Sequence, residues 1–433
     1  CWSFKTIEEN IPAIAEAGFT AIQTSPANTC LVGENGGLSL FSTDSSGKWY
    51  YHYQPTDWKI GNYQLGTRDD FISMCKKAEE YGLYVLVDVL PNHTTPSLDA
   101  ISQDFIDAVG GIENLYHKNN DHEIRSYSNR EECTTAKMGG LPDVNTENPL
   151  FQAYFMKYIN DLIDCGADGF RYDTAKHIGL PDDPKDEYSP ENDFWPIFTG
   201  KKAINGVMLN KTEDLFIYGE VLQATNSREA AYSEYISVTA SYYGSIIRSA
   251  IKNGKLSAKG LANWNNAAGP EKLVTWVESH DTYANEGETA SLTNAQLRMG
   301  WAIITARAGG TPLFFNRPQG PEATQFPGVS QIGDKGNDEF MHPEVVAVNK
   351  FRTAMIGENE TLINPGNTGI LVIKRGEKGA VVINANTEGK TKISFEIDMP
   401  NGTYKDKANN IKCYVKNGVA SMTMPSGKIA VIY

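Results

Sequence analysis

One recurring unit constrains this chain more than any other feature: an amphipathic helical segment, a glycine, then a short apolar strand ending in polar residues. Residues 7–17 place Ile7, Ile11, Ile14 and Ala15 at helical spacing, Gly18 follows, and 19–23 reads as a strand. Residues 68–81 repeat the unit, with Phe71, Cys75, Ala78 and Tyr81 on one stripe before Gly82 and the run Leu83-Tyr84-Val85-Leu86-Val87. A third copy runs from 151 to 165, closed by Gly166 and followed by a strand over 167–172. Strand-like runs recur at 215–218, 272–277 and 311–315, with a weaker one at 236–239. Apolar strands that alternate with helices make parallel β/α units. Seven candidate strands suit a doubly wound sheet or a (β/α)8 TIM barrel. The spacing favours the barrel, with its first strand expected before Cys1, where the chain opens abruptly on Cys-Trp-Ser-Phe without an initiator Met.

Two stretches break this rhythm. Residues 94–148 are rich in Asn, Asp, Gly and Ser without clean alternation, the mark of a functional loop or inserted subdomain after a strand end. From 357 onward the helical pattern stops. Short apolar runs at 369–373, 380–384, 392–397, 411–415 and 429–433 are separated by Gly, Asn and Pro turns, as in an antiparallel β-sandwich. The expected domains are therefore a catalytic barrel over 1–93 and 149–356, an inserted polar subdomain over 94–148 after the third strand, and a C-terminal sandwich over 357–433.

Composition excludes several function classes. Lys and Arg total 39 against 53 Asp and Glu, a net charge of −14, so the chain repels phosphate backbones and nucleic acid is not an expected partner. No apolar run reaches the roughly 18 residues of a membrane-crossing helix. The six cysteines include no CxxC pair. Cys75 and Cys165 read as buried thiols on helix faces, and one disulfide among Cys1, Cys30 and Cys133 stays open.

Reactive residues cluster directly after strand runs: Asp88 to His93, Arg171 to Asp173, Gly219-Glu220, and Glu278 to Asp281. A barrel puts all strand C-termini on one rim, where active sites of that fold lie. A single strand-end carboxylate commonly just caps the following helix. Four such clusters at once, two of them with His, exceed what capping explains. Asp173, Glu220 and Asp281, with His93, His280 and Arg171, suit acid/base or glycosyl chemistry, which needs one protonated and one ionised carboxyl group roughly 5 Å apart if configuration is retained. Arg171 shares a strand face with Asp173 and can hold it ionised. Glu220 has no basic neighbour in sequence, and crowding by the other carboxylates is expected to raise its pKa.

These four segments resemble the four signature regions of the α-amylase family of glycoside hydrolases, over essentially the whole chain. The likeness is closest to the secreted saccharifying type of Bacillus. Trp49-Tyr50-Tyr51-His52-Tyr53-Gln54-Pro55-Thr56 and Trp276-Val277-Glu278-Ser279-His280-Asp281-Thr282-Tyr283 carry much of it. The resemblance implies a retaining mechanism with Asp173 as nucleophile, Glu220 as general acid/base and Asp281 as the third carboxylate. It implies that His93 and His280 hydrogen-bond the sugar, that Arg171 partners the nucleophile, and that Tyr53 is the aromatic platform. Tyr50, Gln54 and Leu141 then line the cleft, and Lys176 borders the leaving-group side. Sugar C–H faces pack on rings while hydroxyls need planar acceptors, so the residue types fit.

The resemblance also implies a Ca2+ cofactor on Asn92, Thr134, Asp143 and the backbone carbonyl of His177, clamping the insertion; read alone, without the resemblance, Asn92 and Asp143 are better taken as turn residues. Hard cations take carboxylate, amide and carbonyl oxygens from separate segments. The expected activity is endo-hydrolysis of internal α-1,4-glucosidic bonds in starch and related α-glucans by a monomer located outside the cell or at its surface, with the polysaccharide and maltooligosaccharides as partners. Rival readings are a glucanotransferase on the same scaffold, a noncatalytic glucan-binding protein, and a metal-dependent barrel hydrolase built on His93 and His280.

Overall fold

The computed structural model describes residues 1–33, 48–186, 189–320, 330–366 and 369–433. They form two compact units. The first holds Cys1–Ala15 and Thr20–Thr239 with a short piece ending at Lys335; the second holds Glu16–Phe19 and the described residues of 240–327 and 336–433.

In the first unit, five strands pair in parallel and in chain order: Ala21–Thr24, Tyr84–Val89, Gly169–Tyr172, Phe216–Gly219 and Ser237–Thr239. Helices cross between them. Arg68–Glu80 starts where the Thr67 side chain accepts from the Asp70 backbone and Asp70 returns the bond, and it buries Phe71, Met74, Cys75 and Ala78. Tyr81, expected on that stripe, instead ends the helix with its ring exposed. Pro149–Asp164 starts with Asn148 as cap and proline at the first turn, and buries Phe151, Phe155, Ile159 and Leu162. The parallel register sets Asp88 beside Arg171, and Arg171 beside Tyr218. Main-chain bonds extend this ladder past the strands, from Asp173 N to Val89 O at 3.0 Å and from Glu220 N to Tyr172 O at 2.9 Å. Gly219 allows that approach: a Cβ there would stand 2.5 Å from the Ala175 Cβ and 2.6 Å from the Ile236 Cδ1.

Between Thr94 and Asn148 lie short helices, Gln103–Ala108, Ile112–Leu115 and Arg130–Thr135. This stretch returns to the strand end by a bridge between His93 and Asp143 and a bond from Val144 N to Asn92 O at 2.8 Å. An antiparallel pair, Asn28–Cys30 with Pro55–Ile60, was not foreseen from the sequence.

In the second unit Leu273–Trp276 and Thr311–Leu313 pair in parallel, flanked by helices Ser241–Lys252, Asn294–Ala306 and Pro343–Ala354. Eight antiparallel strands follow in two four-stranded sheets. Their facing side chains, among them Ile370, Val382, Phe395, Val415 and Met422, form one apolar core. Each of the seven parallel strands expected within the sequence is present within a few residues, the eighth being expected before Cys1, and the fold class is the (β/α)8 barrel with a C-terminal antiparallel β domain. Strands Glu360–Ile363, Gly402–Lys405 and Val419–Pro425 escaped the sequence reading. Gly402–Lys405 is mostly exposed, and Val419–Pro425 buries only alternate residues, so neither makes an apolar run. All six cysteines are free thiols.

Candidate active site

Arg171 organises the strand ends of the first unit. It lies on the buried strand Gly169–Tyr172 and is itself 5% exposed. Its Nη1 donates to Asp88 Oδ1 and Oδ2 at 2.8 and 2.6 Å and to Asp173 Oδ1 at 2.8 Å. Its Nη2 pairs with Glu220 Oε2 at 3.1 Å. Strand periodicity explains the convergence. Asp173 lies two residues beyond Arg171, and Glu220 two beyond Tyr218, so each acid shares a face with the residue below it.

A second contact orients Glu220. Thr174 turns left-handed just after Asp173, with φ 50°, and its N–H donates to Glu220 Oε2 at 3.0 Å. Glu220 is therefore not surrounded by carboxylates alone, as its sequence neighbours led one to expect. The basic partner arrives from the adjacent strand.

Asp88 is the residue the sequence reading left without a role. It is fully buried, and burial pushes its carboxyl up to about 7, with Arg171 opposing and Asp173 reinforcing the rise. It also accepts a 2.8 Å bond from the Tyr53 hydroxyl, so the expected platform is anchored to the guanidinium's own partner. A lone carboxylate inside the run from Val85 to Val89 was the available signal. Its pairing with Arg171 is a matter of strand register and is not written in the sequence.

The other expected residues take varied positions. His93 is 2% exposed; its Nε2 lies 3.1 Å from the Tyr53 carbonyl, and its buried Nδ1 has no hydrogen-bond partner among the described residues. Burial lowers its pKa, which keeps the ring neutral. Tyr50 and Tyr53 belong to the turn Trp49–Tyr53, their rings 5.8 and 6.1 Å from that of buried Trp49. Gln54 accepts from Thr95 Oγ1 at 3.4 Å, and Leu141 sits half-buried in a turn of the insertion paired with Met138. These three, Tyr50, Gln54 and Leu141, stand outside the Arg171 cluster. Lys176 Nζ lies 5.3 Å over the Tyr127 ring and donates to the Leu222 carbonyl at 3.3 Å. His280 and Asp281 belong to the second unit, where Nε2 and Oδ2 are 3.3 Å apart.

Of the residues expected to hold calcium, Asp143 carries a buried oxygen, Oδ1, left without a hydrogen-bond partner among the described residues. Asp143 is 1% exposed, and its Oδ2 pairs with His117 Nδ1 at 2.6 Å. Burial pushes the Asp143 carboxyl up to about 7, against the opposing pull of His117 and Asn92. Thr134 neighbours Cys133, whose carbonyl lies 2.8 Å from His177 Nδ1, so the two remaining segments are tied together. No group of three or more His, Cys, Asp or Glu among the described residues forms a metal centre. One carboxylate with neutral oxygens is instead a hard-cation donor set, and the orphaned Asp143 Oδ1 fits it. His117, held also by Glu147 Oε2 at 2.5 Å, was not anticipated.

The model of the alpha amylase catalytic domain matches residues 4–280. An alpha-amylase of Butyrivibrio fibrisolvens is 47% identical over all of this chain and 46% of its own length. One from Clostridium acetobutylicum is 36% identical over all of this chain and 53% of its own. The chain thus spans about half the length of these curated relatives. Among solved structures, alpha-amylase I of Eisenia fetida superposes with a TM-score of 0.77 at 20% identity, over 100% of this chain and 95% of that one. The signature segments, the Arg171-centred carboxylates and these matches together place the chain in the alpha-amylase catalytic-domain family.

Proposed function

We propose that this chain cleaves internal α-1,4-glucosidic bonds of starch-like glucans with retention of configuration. The observation that carries the proposal is the gathering of Asp173 and Glu220 on adjacent nitrogens of one guanidinium. That closeness is what a retaining carboxyl pair needs, roughly 5 Å.

Asp173, paired with Arg171, attacks the anomeric carbon. Glu220 protonates the departing glycosidic oxygen, the C–O bond to the leaving chain breaks, and a glucosyl ester on Asp173 forms. Glu220, now ionised, takes a proton from water, whose oxygen attacks the same carbon and frees Asp173. Because Oε2 of Glu220 already accepts from Thr174 N and faces Arg171, the proton is assigned to Oε1. Tyr53 supplies the platform, and neutral His93 offers Nδ1 to a sugar hydroxyl. The family signature assigns Asp281 to the sugar hydroxyls and the distorted ring, His280 to the same sugar, and Lys176 to the leaving-group side. Tyr50, Gln54 and Leu141 are assigned to the cleft wall.

Asn92, Asp143, Thr134 and the His177 carbonyl would hold the calcium ion. Bound there, it supplies a fixed positive charge that clamps the insertion. The polymeric substrate supports an extracellular or cell-surface location. Among the described residues, no helix is long and apolar enough to cross a membrane.

Digestion of soluble starch and defined maltooligosaccharides tests the reading. Mid-chain fragments are expected early. Products longer than the substrate would mark a glucanotransferase, absence of turnover a binding protein, and activity surviving Asp173→Asn a metal-dependent hydrolase.

A further inference from the structure

In the second unit, two buried arginines each bridge the two ends of a single loop. The loop follows strand Leu273–Trp276 and carries His280 and Asp281. Arg317, 3% exposed, donates from Nε and Nη2 to the Glu278 carboxylate at 2.7 and 2.6 Å. The same guanidinium reaches the far end of the loop, from Nη1 to Leu292 O at 2.9 Å and from Nη2 to Thr289 O at 2.7 Å. Its plane lies 4.7 Å from the Tyr283 ring. Arg248 adds a second grip, donating to Val277 O at 3.2 Å and to the Glu288 carboxylate at 3.0 and 3.1 Å while packing 5.2 Å from the Trp276 ring.

Between these grips the loop bonds to itself around Asp281. Glu286 N donates to Asp281 O at 2.7 Å, Thr289 N to Thr282 O at 2.9 Å, and Tyr283 N to Ser279 O at 3.0 Å. Closing both ends with one planar group restricts the intervening backbone. An isolated buried Arg–Glu pair adds little net stability, since desolvation offsets its attraction. Here the pair spends its donors on two loop carbonyls, which points to placement of what the loop carries.

We propose that Arg317, locked by Glu278, is a positioning residue for Asp281 and His280, acting on turnover through the aim of the third carboxylate. This rests on the reading above that Asp281 serves that role. Lysine keeps the charge at 317 but offers one nitrogen where the guanidinium offers a fork, and it cannot close both ends.

The test is a double-mutant cycle on the full chain, using an aryl α-maltoside whose good leaving group keeps slow variants measurable. Assays run well below each variant's melting temperature. Arg317→Lys should lower kcat by up to about a hundredfold with KM little changed, the scale of a misplaced reacting group. In an Asp281→Asn background the same substitution should change kcat no further. An independent loss that multiplies with that of Asp281→Asn, or a wild-type kcat for Arg317→Lys, would overturn the proposal. Should Arg317→Lys fail to fold, Glu278→Gln carries the same cycle with the same outcomes. Failure of the underlying reading looks different: the wild-type chain does not turn over, or Asp281→Asn is fully active.

Discussion

Nη2 of Arg171 lies 3.1 Å from Glu220 Oε2 while Nη1 of the same side chain lies 2.8 Å from Asp173 Oδ1. One buried cation thus touches both the group assigned to attack and the group assigned to protonate. Asp88 and the Thr174 amide fix that cation and that acid from behind.

Replacing Glu220 by Gln keeps the side chain's shape and its acceptor oxygen but removes the transferable proton. Turnover on maltooligosaccharides should fall by roughly 10²–10⁴-fold. Calorimetry should still show oligosaccharide binding close to that of the wild type.

Tyr53→Phe deletes the 2.8 Å bond to Asp88 and leaves that buried carboxyl to Arg171 alone. The lost bond should cost about 1.5–3 kcal/mol in urea unfolding, the range for bonds to charged partners. Because the ring itself is retained, KM should change less than it does in Tyr53→Ala.

Asp88 gives the fold a defined pH dependence. Its carboxyl stands at about 7 in the folded chain, above an unfolded value of about 3.9. A raised value means a contribution fully present below about pH 4 and lost as pH rises through about 7. Asp88→Asn removes that titration. The wild-type melting temperature should therefore fall relative to that of Asp88→Asn between pH 5 and pH 8, and a relative rise would contradict the burial argument.

A calcium ion held on Asp143, as proposed, would bind the native state alone and so stabilise it by mass action. Excess chelator should lower the melting temperature of the wild type, and added calcium should restore it. In Asp143→Asn both treatments should have little effect, since the orphaned Oδ1 is the oxygen the ion would satisfy.

Much of the architecture was legible because its signals are local. Helices announced themselves through stripes such as Phe71, Cys75 and Ala78, and parallel strands through unbroken apolar runs such as Val85 to Val87. Asp173 and Glu220 stood out because each follows such a run directly. What stayed hidden depends on register and distance. Asp88 meets Arg171 only when two strands align, and Arg171 meets Glu220 only across the next pairing. Glu278 and Arg317 are likewise far apart in the chain, and neither belongs to a periodic pattern that would announce the contact. Strand Val419–Pro425 buries Ala420, Met422 and Met424 between polar residues, a pattern an apolar-run reading passes over.

The anomeric form of the first product tests the central claim most directly. NMR of freshly cleaved maltooligosaccharide, recorded before mutarotation, should show the new reducing end in the α form, because two displacements at one carbon restore its configuration. A β product, from a single displacement by water, would contradict the assignment of Asp173 as nucleophile.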